Sequence, residues 1–245
     1  MTYHPFRITG GDRDSRILVT CDHATNTVPP QVGGGTLGLP QAEMARHIAY
    51  DPGAAGVAHA LGEALGAPVV SANFSRLVID PNRGEDDPTL FMRLYDGTII
   101  PGNRHADAAE IEYRKELCYR PYHAALGELA ARRRDTAIVS IHSFTPQLKG
   151  RPPRPWHVGI LHSHLDSRLA KPLLESLGAA PDIVVGDNQP YGGHLPGDAI
   201  DRHALSHGRA NVLIELRQDL IATEARQHGW AARLAPHLRA ALARL

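Results

Sequence analysis

Three polar residues lie at or within apolar runs of this chain. His23 follows Arg16–Cys21 (RILVTC), His142 ends Ala137–His142 (AIVSIH), and Glu215 lies inside Asn211–Leu216 (NVLIEL). Neutral imidazole at a strand end that faces a crevice is a good ligand for a divalent metal. A carboxylate among Val, Leu and Ile is costly to bury unpaired, so it needs a partner or a task. A metal with its water would provide both, and a desolvated Glu has a raised pKa suited to general-base work. The bland alternatives are a turn cap for His23, a backbone bond for His142, and an ion pair with Arg217 or another Arg for Glu215. Strand alternation puts Arg217 on the same face as Glu215.

A second group frames a predicted strand, Arg76–Asp80, and the turn after it, in the string SRLVIDPNR. Arg76 and Arg83 present rigid forks of donors that bind carboxylates bidentately, and Asp80 is available to pair with either. Around His23, Asp22 could ligate a metal or orient the imidazole. Asn26 could coordinate through its carbonyl oxygen or serve as a turn residue before Pro29. His162 and His164 read as loop residues past a strand, while His194, His203 and His207 lie in or after a Gly-rich loop where substrate could reach. Cys21 has the place of a nucleophile, but a buried strand cysteine is usually inert.

The elements that must position these groups are short β-branched runs alternating with helical patterns. The strands expected are 16–21, 68–72, 76–80, 137–142, 157–161, 182–185 and 211–216. Their continuous apolar character suits a sheet covered on both faces. Asp51-Pro52 reads as an N-cap with Pro at the first helical position, and Gly66 as the stop. Further helices are expected over 106–134 and 167–177. A last one begins near Gln218 and breaks at Pro236. Such alternation predicts one α/β domain over 1–245, three-layer α/β/α, with a central mixed, mainly parallel sheet.

Composition narrows the partners. The 245 residues carry 26 Lys plus Arg against 26 Asp plus Glu, which gives no net field toward nucleic acid or an anionic membrane. No apolar run approaches the ~18 residues that span a bilayer. Met1–Gly10 lacks a signal pattern, and two cysteines imply no disulfide framework, so a cytoplasmic location is expected. Fifteen histidines favour metal or acid–base chemistry.

The stretches CDHATN (21–26), SRLVIDPNR (75–83), DGTIIPGN (96–103), SIHSFTP (140–146), RPWHVGIL (154–161), VGDNQPYGG (185–193) and IELRQDLI (214–221) resemble the N-formylglutamate amidohydrolase family, in the family's order. That family is related to the zinc carboxypeptidases and the succinylglutamate desuccinylase–aspartoacylase group. The resemblance implies a phosphorylase/hydrolase-like fold and one Zn²⁺ held by His23, His142 and Asn26, with Asp22 as the substitute for Asn26. It implies Glu215 as general base, Arg76 on the scissile carbonyl, and Asn82 with Arg83 on the substrate carboxylate. The implied reaction is hydrolysis of N-formyl-L-glutamate to formate and glutamate, a late step of histidine breakdown. The rivals are hydrolysis of another N-acyl amino acid and metal-free binding of acidic small molecules.

Overall fold

The computed structural model describes residues 3–245. Seven strands form one mixed sheet in the order β1-β3-β2-β6-β9-β7-β8. They are β1 Phe6–Thr9, β2 Ile17–Cys21, β3 Val69–Ala72, β6 Ala137–Phe144, β7 Val158–Leu161, β8 Val185–Asp187 and β9 Asn211–Arg217. β4 Leu94–Tyr95 and β5 Thr98–Ile99 make a separate hairpin. β3, β2, β6 and β9 run parallel, as do β7 and β8, whereas β1 on β3 and β7 on β9 are antiparallel. The helices are α1 Gln41–Met44, α2 Ala54–Leu65, α3 Pro101–Arg104, α4 Ala108–Arg114, α5 Arg120–Ala131, α6 Ala170–Gly178, α7 Ala199–His203 and α8 Glu224–Leu242.

Two apolar cores lie on opposite sides of the sheet. Val139 and Ile141 of β6 and Val212, Ile214 and Leu216 of β9 pack with α2, α6 and α8. Leu18 and Ile138 pack on the other side with Tyr122 and Leu126 of α5 and Ile200 of α7. Because side chains alternate along a strand, Ser140, His142, Leu213 and Glu215 all belong to this second face. The α/β architecture, a mixed, mostly parallel sheet between helices, is therefore the one expected, and the alternation decides which layer faces the polar groups.

Four expectations need correction. First, residues 76–80 form turns, not a strand. Ser75 Oγ donates to Ala49 O and accepts from Leu77 N, which offers the backbone a local alternative to a sheet. Second, α2 starts at Ala54 behind Gly53, whose φ of 82° turns the chain, so Asp51 does not cap it. A Cβ at Gly53 would lie 2.5 Å from Ile221 O, so that turn accepts no other side chain without movement. Third, the predicted helix 106–134 is interrupted by a π turn at Lys115–Tyr119, just before Pro121, which has no N–H to donate. Fourth, α8 runs through Pro236 unbroken; burial of Leu234, Ala235 and Leu238 offsets the lost hydrogen bond. Among the described residues, no helix is long and apolar enough to cross a membrane.

Candidate active site

The strand ends bring the polar groups together. β6 and β9 pair in parallel with His142 directly opposite Glu215, so both side chains leave the same face side by side. His23 follows β2, the neighbour of β6 on its other edge. The three residues line one cavity with Asp51, Arg76, Asn82 and Arg83, and its volume is about 150 Å³.

His23, Asp51 and His142 each direct one donor atom to a common point, with the three atoms within 4.8 Å of one another. His142 Nδ1 lies 2.9 Å from Asp51 Oδ2, and His23 Nδ1 lies 3.3 Å from the same oxygen. The imidazoles meet edge to face, 5.0 Å between centroids. Each ring then turns its Nε2 outward to a second buried carboxylate. His142 Nε2 is 3.1 Å from Asp22 Oδ2, and His23 Nε2 is 2.7 Å from Asp80 Oδ1. With a proton on each Nε2, both Nδ1 lone pairs face Asp51. Two imidazoles and one carboxylate, with a second buried carboxylate behind each ring at Nε2, are a donor set that fits a zinc-type cation.

The outer carboxylates are themselves held. Asp22 accepts from Tyr122 Oη of α5 at 2.5 Å and from Ser140 Oγ at 3.2 Å. Asp80 accepts from Arg76 Nε and Nη2 at 3.1 and 2.7 Å. Burial opposes the charge on Asp22, Asp51 and Asp80, yet the neighbouring imidazoles and, at Asp80, the Arg76 guanidinium hold all three below the usual carboxylate range. Burial also opposes a charge on His142, but Asp22 and Asp51 outweigh it and raise its pKa well above the usual imidazole value.

Glu215 differs from these. Burial pushes it up to about 7, against the pull of His142. Among the described residues it forms no ion pair, and its Oε2 is buried without a hydrogen-bond partner. Arg217, the sequence's rival partner, instead binds Asp219 at 2.8 Å and donates to the carbonyls of Arg154, Pro155 and Trp156. Across the sheet from Glu215 stands Gly159, where a Cβ would lie 2.1 Å from Gln189 O. That glycine lets the loop bearing Tyr191 approach the cavity.

Asn26 lies elsewhere. It does not line the cavity, and its amide donates to Met44 O at 2.8 Å. The carboxylate beside the two histidines is Asp51, which sequence reasoning assigned to a helix cap. Asp22 is present as well, but behind His142. Arg76 Nη1 faces Asp51 at 3.7 Å. Arg83 donates to Thr89 Oγ1 and to Asn82 O. His162 and His164 fall beyond β7, as expected of loop residues. His194 and His207 do not line the cavity, and His203 is buried against His123. Burial drives the Cys21 thiol far above its usual pKa, so it is no nucleophile.

This arrangement, a buried carboxyl beside two imidazoles and Asp51 at the carboxyl ends of parallel strands, is an α/β crevice site with a metal-type donor set. The family model of N-formylglutamate amidohydrolase matches residues 15–222, and the chain belongs to that family. A 72-residue stretch is 42% identical to N-formylglutamate deformylase of Pseudomonas putida, spanning 25% of this chain and 27% of that protein. The solved structure of a gene product of Agrobacterium tumefaciens is 38% identical, with a TM-score of 0.90 over 98% of this chain and 95% of that one. N-formylglutamate amidohydrolase of Ralstonia eutropha has the same fold at 22% identity, with a TM-score of 0.63 over 96% of this chain and 98% of that one.

Proposed function

We propose that the protein hydrolyses the amide of a small N-acyl amino acid, with N-formyl-L-glutamate, the family's namesake, as the reference substrate. The observation that carries this is Glu215: a buried carboxyl with a free oxygen, next to two imidazoles and Asp51 in a cavity that also holds Asn82 and Arg83. His23, Asp51 and His142 are the residues to hold the metal, Zn²⁺ by donor type. When bound, that cation supplies Lewis-acid polarisation and lowers the pKa of water.

The chain's own groups do the rest. Asn82 and Arg83 hold the substrate carboxylate and so place the amide carbon for attack. Glu215 Oε2 accepts a proton as water adds to that carbon. Arg76 Nη1, the arm not bound to Asp80, offers a donor to the developing oxyanion. Glu215 then gives the proton to the amine nitrogen as the C–N bond breaks, leaving the acid and the free amino acid. Both cysteines are free thiols, which suits a cytoplasmic site of action.

Metal analysis of the purified protein, joined to an amine-release assay over formyl, acetyl and succinyl amino acids, tests the reading. About one equivalent of divalent metal and release from at least one substrate are expected. A metal-free protein that binds these acids without cleaving them supports the binder instead.

A further inference from the structure

Arg154 is a cation beside the cavity that the mechanism leaves unused. It lies in the loop from β6 to β7 and is half-buried. Its guanidinium bonds through Nη1 alone, and only to neutral oxygens: Thr145 O at 3.0 Å and Tyr191 Oη at 3.1 Å. It rests against two aromatic rings, 5.1 Å from the Tyr191 centroid and 5.7 Å from that of Phe144. Among the described residues it forms no ion pair. The edge made by Nε and Nη2, the pair of donors that grips a carboxylate bidentately, is left without a bond.

The sheet places this guanidinium next to the reacting groups. Phe144 follows His142 by two residues on β6, so its ring leaves the same face about 6.6 Å further toward the carboxyl end. Arg217, opposite Phe144 on β9, donates to Arg154 O at 3.2 Å. Tyr191 itself lines the cavity. Burial and the nearby Glu215 carboxyl raise its phenol pKa, and Arg154 opposes them. One hydroxyl is thus close to both Glu215 and Arg154.

The basic groups of the lining have other duties. Arg76 bonds Asp80 at 2.7 Å and faces Asp51 at 3.7 Å. Arg83 bonds Thr89 Oγ1 and Asn82 O and, with Asn82, takes one substrate carboxylate in the proposed reaction. Burial lowers the pKa of His47, with Asp96 opposing. A substrate with two carboxylates needs a second cation, because a desolvated carboxylate left unpaired is costly.

Resting on the hydrolase reading, we propose that Arg154 is a specificity-determining residue: beside Tyr191 it holds the side-chain carboxylate of an N-acyl acidic amino acid, while Asn82 and Arg83 hold the α-carboxylate.

N-formyl-L-glutamate and N-formyl-L-glutamine have nearly the same shape and differ in one charge. The metal-loaded wild-type protein should show a kcat/KM for the glutamate compound roughly 10-fold or more above that for the glutamine one, as expected for a charge-assisted bidentate contact. Arg154→Gln should bring the two values within about 3-fold, mainly through a higher KM for the glutamate compound, since a ground-state contact is lost. If that variant does not fold, Arg154→Lys replaces it; the ratio should then drop at least about 3-fold, because an ammonium lacks the fork. A merely structural Arg154, anchoring Thr145 and Tyr191, would instead lower turnover of both compounds alike. That equal loss, an unchanged ratio in the folded variant, or a wild-type protein without preference for the glutamate compound overturns the proposal and leaves the hydrolase reading standing. If the wild-type protein cleaves neither compound nor any other N-acyl amino acid, the hydrolase reading itself falls, and this proposal with it.

Discussion

Glu215 is the residue at which a catalytic and a structural explanation separate under one substitution. Glu215→Gln keeps the shape and removes the proposed base. Turnover is expected to fall by roughly 10²-fold or more, with metal content and melting temperature nearly unchanged. A carboxylate that merely neutralised a buried cation would instead cost several kcal/mol of stability on removal. A stable, metal-loaded and fully active variant would remove Glu215 from the mechanism. The residue was legible in sequence because a charged group inside NVLIEL violates the apolar pattern, as His142 does at the end of AIVSIH. Asp51 was not. Asp-Pro is a normal way to start a helix, and only the positive φ at Gly53 and the fold of the chain aim its carboxylate at His23 and His142.

At the scale of elements, Asp22 ties three of them together. It follows β2, bonds Ser140 and His142 of β6, and receives the Tyr122 hydroxyl from α5. Through it the helix layer fixes the orientation of an imidazole on the sheet. Asp22→Asn should weaken metal binding by about 10–100-fold, measured by competition with a chromophoric chelator. A lower melting temperature with unchanged affinity would give Asp22 a packing role only. Five of the seven sheet strands were readable from their β-branched runs, while the run at 182–185 meets β8 only at Val185. β1 was missed because Phe6–Thr9 is a half-exposed edge with no continuous apolar character. Residues 76–80 misled because Leu77, Val78 and Ile79 are buried as a strand's would be, yet in a turn held by Ser75. Long-range packing, which a local pattern does not contain, also carries α8 past Pro236.

For the molecule as a whole, the His123–His203 pair is a reservoir of acid sensitivity. Their nitrogens lie 2.9 Å apart. Burial lowers His123 to about 3 and His203 to about 4. A histidine with a depressed folded pKa binds more protons when unfolded. Its contribution is therefore full above the unfolded value near 6.5 and is lost as pH falls toward the folded one. Glu215 and Asp198, both raised, act in the opposite sense over part of the same range, so the wild-type curve alone does not isolate the pair. His203→Gln should lose stability at pH 7 relative to the wild-type protein and recover part of that deficit at pH 5. Melting curves at the two pH values check this, and a deficit that stays constant would mean the pair does not couple to protons.

The placement of His142 and Glu215 on β6 and β9, at the middle of the sheet, has a consequence for hydrogen exchange. Amides of 138–142 and 212–216 are bonded strand to strand beneath two cores, so their exchange waits for the whole domain to unfold. The rim at 189–197, which carries Tyr191 and Leu195, is largely exposed and lies outside strands and long helices. Its amides should exchange through local opening, orders of magnitude sooner. Mild denaturant should speed the strands steeply and the rim hardly at all. His142 and Glu215 would then be held with the full stability of the protein, while the rim of the cavity breathes on its own faster clock.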